Sequence, residues 1–229
     1  MVTSMKPAPA MRAAANTPSV ETAPIQEGNH MTSETHTHHF SSWAKERIDE
    51  MDAALTSIEA CLDALHADAR KQAEKAVSEI RAQRDIFQGT LRKGQSEGDA
   101  AWTKAKADLH ANWTSFESIV QKYMSEARQN TDQQQATFKA RAEAQRKAWQ
   151  ETIDTLHGKV AAFAAGKKQD LDAALVHLKA EADTAKTKLE KNQKAGEQSW
   201  AALSAALEES RTAFDKASQK ALEAFKRVA

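Results

Sequence analysis

Apolar side chains recur at steps of three and four residues along most of the chain beyond residue 40. The first series begins at Ala44 and runs through Met51 and Ile58 to Leu91. This spacing places the side chains on one face of an α-helix, whereas a half-buried strand would alternate at every second residue. All four prolines precede residue 25, so no proline ring interrupts a helix further along. The pattern predicts long amphipathic helices.

Glycine-containing segments predict where these helices end. Gly94 and Gly98 lie four residues apart, and Asp99 follows them as a cap for the next helix. A second turn is predicted at Gly166, because the two lysines after it suit a helix C-terminus and Asp170 suits a new first turn. If Gly166 instead lies inside a helix, one continuous helix follows the first turn. With both turns, and with Ser41 or Ser42 as the first cap, the predicted helices span residues 41–92, 99–165 and 168–228.

The three predicted helices have similar lengths, which favours an elongated coiled coil or a long antiparallel three-helix bundle across residues 40–229. Residues 1–39 contain every proline and many threonines and serines, without apolar periodicity. Such a segment buries too little apolar surface to offset the entropy lost on ordering. We therefore predict an all-α fold that follows a disordered N-terminal tail.

A degenerate repeat is superimposed on the apolar stripe. Three times a tryptophan is followed by a leucine seven residues later and by a phenylalanine seven residues after that, at intervals of roughly 50 residues. A recurring unit of this length suggests duplication of a helical element. These aromatic residues fill the core of a bundle, or alternatively anchor amphipathic helices on an apolar surface. We predict that an interaction function resides in nine residues: Trp102, Leu109, Phe116, Trp149, Leu156, Phe163, Trp200, Leu207 and Phe214.

Composition restricts the partners and the compartment. The chain carries 32 basic and 32 acidic residues, whereas binding to nucleic acid or to anionic lipid needs a basic excess. We therefore expect no nucleic-acid partner. The single cysteine, Cys61, has no second thiol for an intramolecular disulfide. No apolar run approaches the ~18 residues that span a bilayer, so we expect a cytoplasmic protein.

Two histidine patterns resemble metal-binding motifs in spacing but lack the rest of a site. His36, His38 and His39 cluster in the predicted tail, where no fixed geometry would hold a metal. An acid-x-x-His spacing occurs at Asp63–His66 and Asp154–His157, as in di-iron bundles, but neighbouring leucines and an isoleucine take the inward positions. No residue order suggests a catalytic triad. We predict no metal site, no cofactor and no catalytic residue, and hence a protein that is not an enzyme.

Four basic residues between positions 139 and 147, among them Arg141, form the densest basic patch of the chain. Glu143 interrupts this patch and lies four residues before Lys147, which is the favourable order for an ion pair along a helix. The patch is therefore interpreted as a solvated helix face rather than as a nucleic-acid interface.

The Ala/Lys/Glu-rich helices after a proline-rich tail resemble, in composition alone, bacterial phasins, exchangeable apolipoproteins and helical desiccation-protection proteins. The resemblance covers residues 40–228 and implies no site residues. Because the alanine-rich stripe is too narrow to bury much area in one helix, we expect a structural or interaction (scaffold) protein. It would act through coiled-coil self-association as a homo-oligomer or with a partner helix. The alternative is a phasin-like coat that binds an apolar granule, lipid or membrane surface.

Overall fold

The computed structural model describes residues 27–96, 99–126, 131–161, 163, 165–195 and 199–228, with side chains from Phe40 onward except at 99–101. All regular structure in these residues is helical, which confirms the predicted all-α class. The chain also makes a short 3₁₀ turn at Leu62–Ala64. The helices are α1 (Glu27–Glu59), α2 (Ala67–Ser96), α3 (Asp99–Glu126), α4 (Thr131–Val160), α5 (Ala165–Lys194) and α6 (Trp200–Val228).

Each segment predicted as one long helix contains two helices in the structure. The segment 41–92 is divided by the 3₁₀ turn, after which Leu65 is extended with φ −89° and ψ 143°. The segment 99–165 is divided after Glu126, and the segment 168–228 is divided between Lys194 and Trp200. The first two breaks contain neither glycine nor proline, so the local signals that mark helix ends were absent there. Tertiary packing stabilises the broken helices, because each shorter helix can fold back and bury its apolar face on a neighbour.

The structure confirms the first predicted turn but places the other predicted helix ends elsewhere. α2 ends at Ser96 and α3 begins at Asp99, where the first turn was predicted; Gly98 lies outside the described residues. The second turn was misplaced, because α5 begins at Ala165 and includes Gly166 in its first turn. α1 begins at Glu27 rather than at Ser41 or Ser42, so only residues 1–26 of the predicted tail lie outside the described residues.

The helices form two three-helix halves that share one core. In each half a hairpin, α2 with α3 or α5 with α6, packs beside a central helix, which is α1 or α4. The central helices α1 and α4 pack against each other, and α6 also contacts α1 and α3. They run antiparallel, because Lys45 pairs with Glu151 near the start of the contact and Ser57 meets Thr137 near its end.

The two halves correspond to each other at an offset of 98 residues. α2 begins at residue 67 and ends at residue 96, while α5 begins at residue 165 and ends at residue 194. The buried positions follow the same offset in all three helices of a half, which is the signature of an internal repeat. Buried pairs at this offset are Phe40 and Phe138, Ala44 and Ala142, Ile58 and Leu156, Val77 and Leu175, Ile80 and Leu178, Trp102 and Trp200, Leu109 and Leu207, and Phe116 and Phe214.

The structural repeat is therefore twice as long as the unit of roughly 50 residues expected from the sequence. Trp102 and Trp200, on α3 and α6, are equivalent residues of the two halves. Trp149, on α4, is instead equivalent to Met51 on α1, and both side chains are buried. The three tryptophan-led units thus represent two different structural positions.

A close approach of α2 and α3 depends on Gly94. A Cβ atom at this position would lie 2.6 Å from Cβ of Ala105 and 2.8 Å from Cε3 of Trp102. Both distances are far below van der Waals contact, so only glycine fits without moving α3. A Cβ at Gly89, five residues earlier on the same helix, would meet nothing within 4 Å.

These two glycines form a matched test of the packing. Gly94→Ala should lower the free energy of unfolding by about 1–3 kcal/mol, because overpacking outweighs the gain in helix propensity. Gly89→Ala should raise it by about 0.5–1 kcal/mol, because alanine loses less conformational entropy in a helix. Urea unfolding followed by circular dichroism measures both changes. Equal effects of the two substitutions would contradict the close α2–α3 contact.

Candidate functional site

Polar side chains are buried where the two halves meet, and the described ones all lie on α1, α4 or α6. Burying them from water is costly unless each finds a hydrogen-bonding partner. The buried polar residues are Glu46, Arg47, Glu50, Gln133, Gln134, Thr137, Arg141, Gln145, Ser210, Arg211 and Ser218. Six of these and two acidic residues at the edge, Glu117 and Asp215, form what we call the ionic network. Its eight residues are Glu46, Arg47, Glu50, Glu117, Arg141, Gln145, Arg211 and Asp215.

Glu50 of α1 lies at the centre of the ionic network and is completely inaccessible to solvent. Its Oε2 atom accepts hydrogen bonds from Arg141 Nε at 3.1 Å and from Arg141 Nη2 at 2.9 Å. Arg211 Nη1 donates to both carboxylate oxygens, at 3.0 and 2.9 Å. Gln145 Nε2 donates to Oε1 at 3.0 Å. Five hydrogen bonds from α4 and α6 thus replace the hydration of this carboxylate.

Glu117 of α3 binds the outer side of the same two guanidinium groups. It accepts hydrogen bonds from Arg141 Nη2 at 2.6 Å and from Arg211 Nη2 at 3.0 Å. Burial alone would raise the pKa of Glu117, but the two arginines outweigh burial and hold its pKa below the ordinary value. The pKa values of Arg141 and Arg211 are raised, because the attraction of Glu50 and Glu117 outweighs the desolvation of the guanidinium groups.

Glu46 of α1 is held less favourably than Glu50. Its Oε1 atom accepts a hydrogen bond from Trp149 Nε1 at 3.0 Å, and its Oε2 atom accepts one from Arg47 Nη1 at 2.9 Å. Arg47 also binds Asp215 of α6, with Nη2 and Oδ2 2.5 Å apart. Burial raises the pKa of Glu46 to about 8, and the carboxylates of Asp215 and Glu50 act in the same direction against the attraction of Arg47.

Trp113 of α3 contacts all three arginines of the ionic network. The guanidinium carbons of Arg211, Arg47 and Arg141 lie 4.7, 5.7 and 5.8 Å from the centre of its ring. These distances are within the range of cation–π attraction, which strengthens when the cation is desolvated. The indole therefore adds to the stabilisation that the carboxylates give these three arginines.

The ionic network lies where the two halves of the repeat differ. Arg141 and Arg211 of the second half occupy the positions of Trp43 and Trp113 in the first half, each 98 residues earlier. Glu50 corresponds to Ala148. Within the network the first half thus supplies Glu46, Glu50 and Glu117, and the second half supplies Arg141 and Arg211. Two pairs cross the surface in the opposite sense, Arg47 with Asp215 and the more exposed Lys45 with Glu151. The surfaces through which the halves meet are complementary in charge.

The ionic network binds and orients its own side chains rather than presenting a reactive group. The Glu50 and Glu117 carboxylates are occupied by arginines, which leaves no open face for a cation. Among the described residues, no group of three or more histidine, cysteine, aspartate or glutamate side chains is placed to hold a metal ion. A groove between α3 and α6 opens onto Trp113, Arg47 and Arg211, but these arginines already pair with carboxylates.

The nine residues predicted to carry an interaction function lie in the core of the bundle. Eight are buried, and Phe163 is partly buried and packs against the others. Trp149 stacks on Phe214 with ring centres 5.0 Å apart, and Phe163 meets Phe225 edge to face at 6.0 Å. The structure brings these residues against other helices of the same chain. Contacts of the nine with another molecule stay a prediction and would require the bundle to open.

The central site was missed from the sequence, because Arg141 was assigned to a solvated basic face. That interpretation was wrong, since Arg141 is fully buried. One signal was present: Gln145 lies on the apolar stripe between Ala142 and Trp149, where a polar residue needs a buried partner. The partners of Arg141 are 91 and 24 residues away in sequence, at Glu50 and Glu117.

The other candidate residues lie apart from this site. The side chains of Asp63, His66, Asp154 and His157 are exposed. Cys61 is half-buried, and its thiol donates to the Ser57 carbonyl at 3.5 Å. The side chains of the histidine cluster at 36–39 lie outside the described residues.

The chain matches no protein-family model, no functionally curated protein and no solved structure. None of the helices in the described part of the chain combines the length and the apolarity needed to cross a bilayer. The function is therefore inferred from the geometry of the bundle and its ionic network.

Glu50 and Asp49 are neighbours on α1 and test how strongly the ionic network stabilises the fold. Glu50→Gln should lower the free energy of unfolding by about 3–5 kcal/mol, because it leaves two buried arginines with one carboxylate between them. Asp49→Asn removes only a partly exposed ion pair with Lys45 and should cost about 0.5 kcal/mol. Urea unfolding at neutral pH measures both. Similar losses would show that the network contributes no more than a surface pair.

Glu46 should make stability depend on pH in a defined direction. Its pKa rises on folding from 4.5 to about 8, so folding takes up a proton between these values. The free energy of unfolding should therefore fall as pH rises through this window, by up to ~1.4 kcal/mol per pH unit. Glu46→Gln keeps an acceptor for Trp149 and should flatten this slope.

His110 opposes the pH dependence that Glu46 produces. Because His110 is present in both the wild-type protein and Glu46→Gln, comparing their stability at each pH cancels its contribution. Burial and Arg47 lower the pKa of His110, so this residue adds stability as pH rises through 6.5 in both proteins. Urea unfolding at several pH values between 5 and 9 provides the curves. Parallel curves for the wild-type protein and Glu46→Gln would contradict the raised pKa of Glu46.

Proposed function

We propose that this chain is a non-enzymatic structural or interaction (scaffold) protein that works through the association of helices with a second copy or with a partner helix. The observation that carries this proposal is the charge complementarity at the centre of the ionic network, where Glu50 of α1 and Glu117 of α3 face Arg141 of α4 and Arg211 of α6. Buried charge pairs contribute little net stability but select strongly which surfaces can pair. A surface of this kind is suited to recognition between helices.

The rest of the described surface supports the same proposal. Its exposed large apolar residues are Ile86 and Val176, which lie on different helices and form no patch. Exposed ion pairs such as Lys188 with Glu209 cover the outer hairpins. Association would therefore involve the surface between the halves rather than an apolar patch on the closed bundle.

Sedimentation velocity from nanomolar to high micromolar concentration tests the association, with helicity measured on the same samples. We expect a concentration-dependent increase in mass that Glu50→Gln weakens and that Lys188→Ala, at an exposed pair, leaves unchanged. A chain that stays monomeric and fully helical over the whole range would argue against self-association. Weakening by Lys188→Ala to the same extent would argue against the ionic network as its basis.

A second candidate function is a coat on an apolar surface, as phasin-like proteins provide. The observation that favours it is that the indole nitrogens of Trp102 and Trp200 are buried without a hydrogen-bond partner. A tryptophan at a membrane or granule interface keeps its ring in the apolar phase while its N–H reaches water or a head group. Opening of the bundle would therefore satisfy two donors that the closed core leaves unpaired.

Tryptophan fluorescence with and without liposomes distinguishes this candidate. Binding should shift the emission and make the protein float with the vesicles, and Trp102→Phe with Trp200→Phe should weaken the binding. Absence of both a spectral change and co-flotation would exclude the coat function.

A further inference from the structure

The internal repeat reveals a groove that side chains span in the first half and leave open in the second. In the first half Arg84 of α2 reaches across to Asp52 of α1, with Nε and Oδ1 2.5 Å apart. At the equivalent positions, 98 residues later, the second half has Ala182 on α5 and Gln150 on α4. Gln150 donates along its own helix, to Asp154 at 2.8 Å. The pair that joins α1 to α2 therefore has no counterpart between α4 and α5.

The space between α4 and α5 is an open groove of about 440 Å³. Ile153 and Ala182 form apolar parts of its floor. Ile153 is half-buried, whereas its equivalent in the first half, Leu55, is buried. The volume of the groove falls within the range of small-molecule sites, which begins near ~300 Å³. The second half thus offers a ligand apolar surface that the first half buries.

The rim of this groove carries a net positive charge. Three acidic residues line it, against four basic residues, two from each helix. The basic residues are Arg146, Lys147, Lys179 and Lys186. At the equivalent positions the first half has three basic and three acidic residues and is neutral. The two grooves therefore differ in charge as well as in depth.

Two of the basic residues lack the ion pairs that balance the first half. Arg81, which is equivalent to Lys179, binds Glu59 of α1. The position of Glu59 is occupied in the second half by His157. Within the described part of the chain, Arg146 and Lys179 form no ion pair. Their charge is available to an anion from outside the chain.

The acidic residues of the groove do not neutralise its rim. Glu151 is bound by Lys45 of α1, with Nζ and Oε2 2.8 Å apart. Lys186 lies 4.0 Å from Glu190 of its own helix. The other two acidic residues are Glu143 and Asp183. Two carboxylates thus remain for the other three basic groups, and an anion can offset the excess.

We propose that the groove between α4 and α5 binds an amphiphilic carboxylate of the fatty-acid type, with its head on Arg146 and Lys179 and its alkyl chain over Ile153 and Ala182. Such a ligand supplies what the first half provides from its own side chains, namely a carboxylate like that of Asp52 and a methylene stem like that of Arg84. A guanidinium group is suited to a carboxylate because it can donate two parallel hydrogen bonds. This site lies outside the ionic network and does not depend on the proposed association of helices.

Isothermal titration calorimetry of the full-length protein with octanoate, below its micelle-forming concentration, tests the site. We expect saturable binding of one octanoate per chain. Octanol has the same chain without the charge, and acetate has the charge without the chain. Each should bind at least about tenfold more weakly, since it loses either the charged hydrogen bonds or the apolar contact. Absence of saturable octanoate binding, or equal affinity for octanol, would overturn the proposal.

Transfer of the first half's pair into the groove locates the binding. Ala182→Arg with Gln150→Asp should cover the floor and lower the affinity for octanoate at least about tenfold. The reciprocal change in the first half, Arg84→Ala with Asp52→Gln, should leave the affinity unchanged and is the matched control. Octanoate that binds the transferred variant as tightly as the wild-type protein must lie elsewhere, which would refute the site.

Substitutions on the rim protect this test against a folding defect. Arg146→Gln with Lys179→Gln removes the two basic groups that have no ion pair, so helicity by circular dichroism should stay constant. The affinity should fall about tenfold. Lys188→Gln, on α5 but paired with Glu209 of α6, should have no effect. Equal affinity of the rim variant and the wild-type protein would contradict the proposed head-group contacts. Sedimentation without octanoate measures the association of helices separately, so either proposal can fail alone.

Discussion

The Glu50 carboxylate, which has no access to solvent, imposes the strongest single constraint on this fold. An ionised carboxylate in the core is tolerated only when oriented donors replace its hydration. Its donors come from α4 and α6, and Glu117 on α3 holds the same guanidinium groups from the other side. A shift of α1 along α4 by one turn would leave buried charges unpaired. The ionic network therefore sets the register in which the two halves meet, while the apolar faces supply most of the stabilisation.

The repeat explains how such an arrangement can be built from one pattern. Two three-helix halves with equivalent cores pack through their central helices, α1 and α4, in antiparallel orientation. If the two halves had identical sequences, each would present the same charged groups to the other near the α1–α4 contact. The two halves differ at this contact. Arg141 and Arg211 of the second half are equivalent to Trp43 and Trp113 of the first, and Ala148 is equivalent to Glu50. Equivalent core positions are apolar in both halves, whereas these positions at the shared surface differ in charge, so each half pairs with the other in one direction.

Under the proposed function, the same polar surface links stability to binding. The described buried polar side chains lie on α1, α4 and α6, so water can solvate them again when this surface opens. This is where the proposed partner, whether a second copy, a partner helix or an apolar phase, would compete. Glu46 adds a dependence on pH at this surface, because burial raises its pKa and favours the protonated form in the closed bundle.

Local sequence determined the helical class and the apolar face of each helix. Steps of three and four identified most core positions, including Leu109, Phe116 and Leu207, because a helix turns by a fixed angle per residue whatever its surroundings. Trp43 and Val77 are buried but lie beside the predicted stripe. The turn before Asp99 was also placed from local sequence, although Gly94 itself lies within α2 and acts there by allowing Trp102 and Ala105 to approach. The break after Glu59 and the division after Glu126 carry no such signal and follow from packing between distant helices. Tertiary structure alone decided that Arg141 is buried: its partners, Glu50 and Glu117, lie on α1 and α3, and only folding brings their charges close enough to replace water.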